Sequence, residues 1–562
     1  MSENIKLSTL NPKKVFLITF GIYMIIGMHF FMHNVGGYGL YIPSNILGWI
    51  FIGIMIGTGF WQTVYINKIR ITFFAKIILL GFLFLLVPFF YGNNEHAGRT
   101  LFRFFSIAGG ILYYISLTQF NFSKKEKSLI LFLILIGVLF ESIFAIFQYY
   151  SLAPKMWYGY EMDQDYPSGI FQQRNLMASF LSTGSAICLY LLLNGSNMLE
   201  GAAKKGVVYI IPFLNGILLY HLNSKTGYIG LFLATFFLLI PKNWKRAPIL
   251  LWFIVFFCGM TFGILTQREI PTVEQRIGKS EKRIRSVDVR KARFETTFQL
   301  WTNNPIIGVG YGNFARFYRD HHAYRRANEI NFQKEEGYVD HPHNELLFWL
   351  AEGGIMPFFG LILVAGAWII MIIRMPLKES LCFLAIILPI IVHTQVEFPF
   401  YQSLVHWIVF LTLSYLPDQY NSDSSKYSFN HIKMLKIPAV ILPSFISVYM
   451  ITTLQTAMTI TKFEQTGYKN PEIISKVWNP KAWHLRYEVN IMNMNLDIGF
   501  KTGNVEILQQ YVNWGRNFVL HSPFLYIYYD MASALRAMGK KDESWKLIKE
   551  ARYLYPDTEW IN

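Results

Sequence analysis

The stretch from Leu129 to Tyr150 reads LILFLILIGVLFESIFAIFQYY, and Glu141 is its only charged residue. A continuous apolar run of this length matches the ~20 residues that a helix needs to cross the hydrocarbon core. The strands of a membrane barrel would alternate apolar and polar positions instead. Comparable runs lie near 15–33, 44–61, 72–91, 101–120, 176–194, 207–222, 226–240, 248–267, 345–373, 380–395, 402–416 and 437–457. The sequence therefore predicts an all-α polytopic membrane protein with about 13 transmembrane helices. Composition agrees: of 562 residues, 53% are hydrophobic and only 15% charged, where a soluble protein carries about a quarter charged.

The net charge is +16. No soluble basic domain or aromatic-basic module accompanies it, which argues against nucleic acid. Membrane lipids with anionic headgroups and phosphate-bearing substrates fit it better. Cys188, Cys258 and Cys382 lie in apolar runs, so neither disulfides nor thiol chemistry are expected. Lys13 and Lys14 precede a run that is long and has no small-residue cleavage site, and it reads as an uncleaved first span. With these lysines in the cytoplasm, the basic loops around Lys68, Lys125, Lys205, Lys242, Arg374 and Lys433 fall on the same side, as the positive-inside rule asks.

This topology divides the chain into N-terminal transmembrane helices (1–267), a large external loop (268–344), C-terminal transmembrane helices (345–461) and an external helical domain (462–562). In the last, Tyr528, Ala532, Leu535, Gly539, Ala551 and Pro556 follow a tetratricopeptide-like (TPR-like) phase. A lone repeat cannot bury its own face, so a generic helical hairpin packed on the membrane domain is the alternative. The charged run from Arg268 through Arg276, Lys279 and Lys282 reads mainly as an amphipathic helix on the membrane surface.

The polar motifs all map to the external side. They are Gly169-Ile170-Phe171-Gln172-Gln173-Arg174-Asn175, then Asn223-Ser224-Lys225-Thr226-Gly227. Next come Arg290, Arg293 and Gly308-Val309-Gly310-Tyr311-Gly312-Asn313-Phe314. The last two are His341-Pro342-His343-Asn344-Glu345, running on to Glu352-Gly353-Gly354, and His393 to Tyr401. An imidazole at a membrane surface among cations suits chemistry on a lipid-linked anionic substrate. Each residue also has a plainer reading. His343 could merely be an interfacial residue satisfied by backbone, or pair with His341, His321 and His322 around zinc. Gln173 and Asn175 could cap the sixth span. Lys225 could snorkel, and Glu397 could pair structurally with His393 or a cation. Tyr401 could belong to the interfacial aromatic belt. The glycine-rich turn is no nucleotide fingerprint and reads as a tight turn near a ligand or near Phe314. Gly53 and Gly57 form a span-packing motif.

The segment from Arg293 to Phe314, with Trp301, Asn304-Pro305 and the glycine-rich turn, followed by His343-Asn344 and Glu352-Gly353, resembles the O-antigen ligase/polymerase (Wzy_C) superfamily. Gly169 to Ala178 resembles the Gly-x-Phe-x-Gln-x-Asn signature of PglL-type bacterial protein O-oligosaccharyltransferases. The stretch His393–Pro399 and the C-terminal helices resemble that branch too. The resemblance implies a transferase of the bacterial inner membrane, with its N-terminus cytoplasmic and its large loop and C-terminal domain periplasmic. It implies transfer of a glycan from undecaprenyl pyrophosphate to a Ser or Thr hydroxyl of a periplasmic acceptor protein such as pilin. By the same resemblance His343 and Arg293 are catalytic, with Arg290 a neighbouring rival. Gln173 and Asn175 match the signature's polar pair. Lys225 stands where the family usually has Arg, which keeps the cation and loses the planar fork. Asn344, Glu397 and Tyr401 complete the expected substrate-binding group; no metal or other cofactor is expected.

The chemistry fits those residue types. A hydroxyl is a poor nucleophile near neutral pH, and a positioned imidazole that accepts its proton contributes roughly 10²–10⁴-fold. Fixed cations stabilise the charge that grows on the leaving pyrophosphate. Two other functions compete: an O-antigen ligase that transfers to lipid A-core, and a non-enzymatic glycolipid transporter. A transporter would place ionisable residues at midplane depth, and Glu141 is the main residue that does so.

Overall fold

A computed structural model describes residues 11–32, 34, 37–151, 166–194, 201–241, 245–267, 273–330, 332–335, 337–420, 425–428, 431–468 and 470–556, without the side chains of 273–287. Lys242, Arg268 and the side chains of Arg276, Lys279 and Lys282 lie outside the described residues.

In chain order the helices are α1 (Pro12–Ile25), α2 (Pro43–Ile66), α3 (Phe73–Leu86), α4 (Leu101–Gln119), α5 (Lys124–Tyr150), α6 (Arg174–Leu193), α7 (Ala202–Leu222) and α8 (Lys225–Leu239). They continue as α9 (Arg246–Leu265), α10 (Val273–Asn303), α11 (Phe314–Asn328), α12 (Glu345–Gly353), α13 (Ile355–Ile373), α14 (Leu377–Thr394), α15 (Pro399–Gln402) and α16 (Leu404–Tyr420). The last are α17 (Lys436–Gln465), α18 (Pro471–Ile474), α19 (His484–Thr502), α20 (Val505–Val519), α21 (Leu525–Ala537) and α22 (Lys541–Leu554). The chain is an all-α multi-pass membrane protein.

Ten helices among the described residues are long and apolar enough to cross a membrane. Three of the thirteen expected spans correspond to shorter helices, α1, α8 and α16, of 14, 15 and 17 residues. At 1.5 Å per residue, α8 is only ~22 Å long. The expected span 345–373 is broken. Gly354 has φ +73°, and a Cβ there would lie 2.1 Å from the Ile306 carbonyl oxygen, so the chain turns between α12 and α13. One feature escaped the sequence reading: Ile69–Ile71 pairs antiparallel with Ser425–Tyr427, with Arg70 opposite Lys426.

The chain forms two compact units. The first comprises residues 1–79, 106–269 and 364–454, and the second 80–105, 270–363 and 455–562. In the first unit, small residues let helices approach closely, the usual packing device where lipid replaces water. A Cβ at Gly57 would lie 2.5 Å from Pro443 of α17, and one at Gly259 would lie 2.0 Å from the Phe213 carbonyl of α7. Helix α5 starts at a capping box, in which Ser123 and Glu126 satisfy each other's backbone N–H.

In the second unit, α21 and α22 bury Tyr528, Ala532, Leu535 and Ala551, four of the six residues with the TPR-like phase, while Gly539 and Pro556 are exposed. They share a core with α20 through Leu508, Tyr511 and Val512. A second hairpin thus covers the face that a lone repeat would leave open.

Candidate functional site

The expected site residues fall in both units. Gln173, Asn175, Lys225, Glu397 and Tyr401 belong to the first, and Arg290, Arg293, His343 and Asn344 to the second.

In the first unit, a left-handed turn at Gly169 and Gln172 leads into α6. The Gln172 amide exchanges hydrogen bonds with Asn34, at 2.7 and 3.2 Å. Gln173 occupies the N-cap position of α6, but its side chain does not cap the helix. Its Oε1 is buried without a hydrogen-bond partner among the described residues. Asn175 does not cap either. Its Oδ1 accepts from the Ser224 hydroxyl at 2.8 Å, and its Nδ2 donates to Glu397 at 3.3 Å. The capping reading of this pair is therefore wrong: the Asn175 amide links the start of α8 to the turn after α14.

One helical turn further along α6, the Ser179 hydroxyl lies 2.7 Å from His393 Nδ1 and 3.0 Å from His406 Nε2. All three side chains are buried. A hydroxyl carries a single proton, so at most one imidazole accepts it. Ser179 and His406 were missed, although Ser179 sits one turn beyond Asn175. Lys225 is exposed in the first turn of α8, beside Ser224, whose hydroxyl caps that helix by accepting from Gly227 N–H. Tyr401 is half-buried, its ring 6.2 Å edge-on from Phe398.

In the second unit, His343 is half-buried and left-handed, at φ +63°. That conformation is uncommon for a residue with a Cβ. Its backbone N–H donates to Nδ1 of buried His341 at 2.9 Å. His341 therefore carries its proton on Nε2, which lies 3.5 Å from Glu345. Glu345 also accepts from the Trp349 indole N–H at 2.7 Å. Burial pushes the Glu345 carboxyl up, but the His341 and Trp349 contacts outweigh it and hold the group below its usual range. Among the described residues, no group of three or more His, Cys, Asp or Glu could hold a metal ion. His341 instead fixes the backbone of His343. Asn344 caps α12, accepting the Leu347 N–H at 2.9 Å.

Arg293 pairs with Glu335, its Nε 3.1 Å from Oε1. The Tyr318 hydroxyl donates to the other carboxylate oxygen of Glu335. Burial again acts upward on Glu335, and Arg293, Tyr318 and His322 together hold its carboxyl below the ordinary range. Arg290 is half-buried one turn earlier on α10, so it faces the same side of the helix as Arg293. No sequence pattern pointed to Glu335 or Tyr318.

The glycine-rich turn packs against the protein's own backbone. Val309 and Gly310 N–H donate to the Ala351 and Glu352 carbonyls at 2.9 Å, and Gly312 N–H donates to the Glu352 carboxylate at 2.9 Å. A Cβ at Gly310 would lie 2.2 Å from the Asn93 carbonyl oxygen. Glu352 is held in turn by Arg103, whose guanidinium stacks over Trp349 at 4.6 Å and Phe348 at 4.9 Å. No sequence pattern pointed to Arg103.

Three family models match parts of the chain. One describes a protein glycosylation ligase and matches residues 167–192, the turn and α6. Another describes an O-antigen ligase and matches 210–365, from Lys225 through His343 to Glu352. The third describes the C-terminal part of a virulence factor membrane-bound polymerase and matches 381–560. No curated protein gives a significant match.

Proposed function

Because the chain belongs to the O-antigen ligase/PglL-type superfamily, a family of glycan-transferring membrane enzymes, we propose that it is a protein O-oligosaccharyltransferase. It moves a glycan from undecaprenyl pyrophosphate to a Ser or Thr hydroxyl of an acceptor protein on the periplasmic side of the bacterial inner membrane. The observation that carries the protein acceptor is the protein glycosylation ligase match, which falls on the turn that presents Gln173 and Asn175.

In this reading the acceptor hydroxyl attacks the anomeric carbon and gives its proton to His343. The bond to the lipid pyrophosphate breaks, and its charge is met by Arg293 and Arg290. The backbone of His343, held in place by His341, supports the base role. Glu335 orients the Arg293 guanidinium. In the first unit, Lys225, Gln173, Asn175, Glu397 and Tyr401 are assigned to recognition of the lipid-linked glycan.

The test is transfer by the purified protein from an undecaprenyl-pyrophosphate glycan, offered a Ser-bearing protein acceptor and lipid A-core in parallel. Glycosylated protein is the expected product. Transfer to lipid A-core alone would replace this reading with an O-antigen ligase.

A further inference from the structure

Glu141 is a carboxyl within a helix long and apolar enough to cross a membrane, and the reaction above gives it no task. It is fully buried in α5. A carboxylate at such depth is costly unless something holds it. Its Oε1 accepts the backbone N–H of Ile170 at 2.8 Å. Two helical turns later on α5, Gln148 Oε1 accepts the N–H of Gly169 at 2.9 Å. Two successive amides of the signature turn are therefore bonded to side chains of one helix. Gly169 sits at φ +58°, and a Cβ there would lie 1.7 Å from Glu141 Oε1. The glycine is required both by its backbone angle and by the carboxyl packed against it.

The other carboxyl oxygen lies 3.5 Å from His29 Nε2. His29 Nδ1 faces the Ile25 carbonyl at 3.1 Å and so carries a proton. One further proton shared by Nε2 and the carboxyl leaves the pair neutral overall, as acid and imidazole or as carboxylate and imidazolium. A buried charge is thereby avoided or matched.

We propose that Glu141, with Gln148 and His29, is the positioning group of the 169–175 turn: it fixes the backbone from which Gln173 and Asn175 project, and touches no substrate itself. This rests on the reading that the turn serves glycan transfer. It also gives this buried carboxyl a role other than transport.

The test compares wild type with Glu141→Ala, Glu141→Gln and Gln148→Ala, using hydrogen exchange of the 166–176 segment and steady-state glycan transfer. Loss of the acceptor should speed exchange at Gly169 and Ile170 by about tenfold or more in Glu141→Ala. Transfer should fall by roughly 10–100-fold, as expected when a binding group is misplaced by about 1 Å. Glutamine keeps an acceptor for Ile170 and should restore both readouts. If Glu141→Ala does not fold, Gln148→Ala frees only the Gly169 amide and should speed exchange there. Unchanged exchange in the folded variants overturns the anchor. Faster exchange with wild-type transfer overturns its importance to the reaction. If the wild type transfers no glycan, the proposed function fails, and the anchor is still decided by exchange.

Discussion

The two units solve one local problem with the same device. In the first, buried Glu141 accepts a backbone N–H from the turn at Gly169. In the second, buried Glu352 accepts one from the turn at Gly312. At Gly169 the carboxyl also fills the place a Cβ would take, whereas at Gly312 the backbone of His96 does so. Their partners differ. Glu352 faces Arg103, which is always charged and is stacked on aromatic rings. Glu141 faces His29, whose charge depends on a proton. The Glu352 clamp is a fixed ion pair that sets the start of α11, the helix carrying Tyr318 to Glu335. The Glu141 clamp needs only an acceptor and one shared proton.

Substitutions at the two glutamates test this contrast most strongly. Glu352→Ala removes the carboxylate from largely buried Arg103 and should destabilise the second unit by about 3–5 kcal/mol, read as a lower unfolding temperature in detergent. Glu352→Gln should also cost stability, because an amide cannot neutralise Arg103. Glu141→Gln should cost much less, and equal losses for the two glutamine variants would break the comparison.

A smaller effect concerns pH. Glu335 is depressed below its ordinary 4.5 in the folded chain. Its contribution is therefore full above the ordinary carboxylate range and is lost as pH falls through the lowered value. The unfolding-temperature gap between wild type and Glu335→Gln should be constant near neutral pH and close on acidification; a gap that widens in acid would contradict the Arg293–Glu335 pairing.

The smallest effect compares two helix starts. Asn344 caps α12 and Gln173 does not cap α6. Asn344→Ala should cost about 1 kcal/mol, whereas Gln173→Ala should stay within ~0.5 kcal/mol in stability and act on transfer instead. Equal stability losses would remove that distinction.

The spans were legible because lipid demands continuous apolar runs, and Leu129–Tyr150 declares itself without any partner. The polar turns were legible because polar clusters stand out beside such runs. What joins them was not. Asn175 meets Glu397 across 222 positions, and Arg103 meets Glu352 across 249. Nothing periodic marks such pairs. Asn175 looked like a cap because Asn favours caps, but Ser224 and Glu397 hold its amide. The glycine-rich turn read as a tight turn near a ligand or near Phe314 because glycine admits close approach, and what approaches it is the backbone of Asn93, Ala351 and Glu352. The break at Gly354 was hidden in a run that is apolar on both sides.

The most direct test of His343 is glycan transfer by His343→Asn. Asparagine tolerates the left-handed backbone at this position and offers no base, so folding is kept while proton transfer is lost. The account predicts a fall of roughly 10²–10⁴-fold in transfer with an unchanged unfolding temperature. Transfer at the wild-type rate would contradict it.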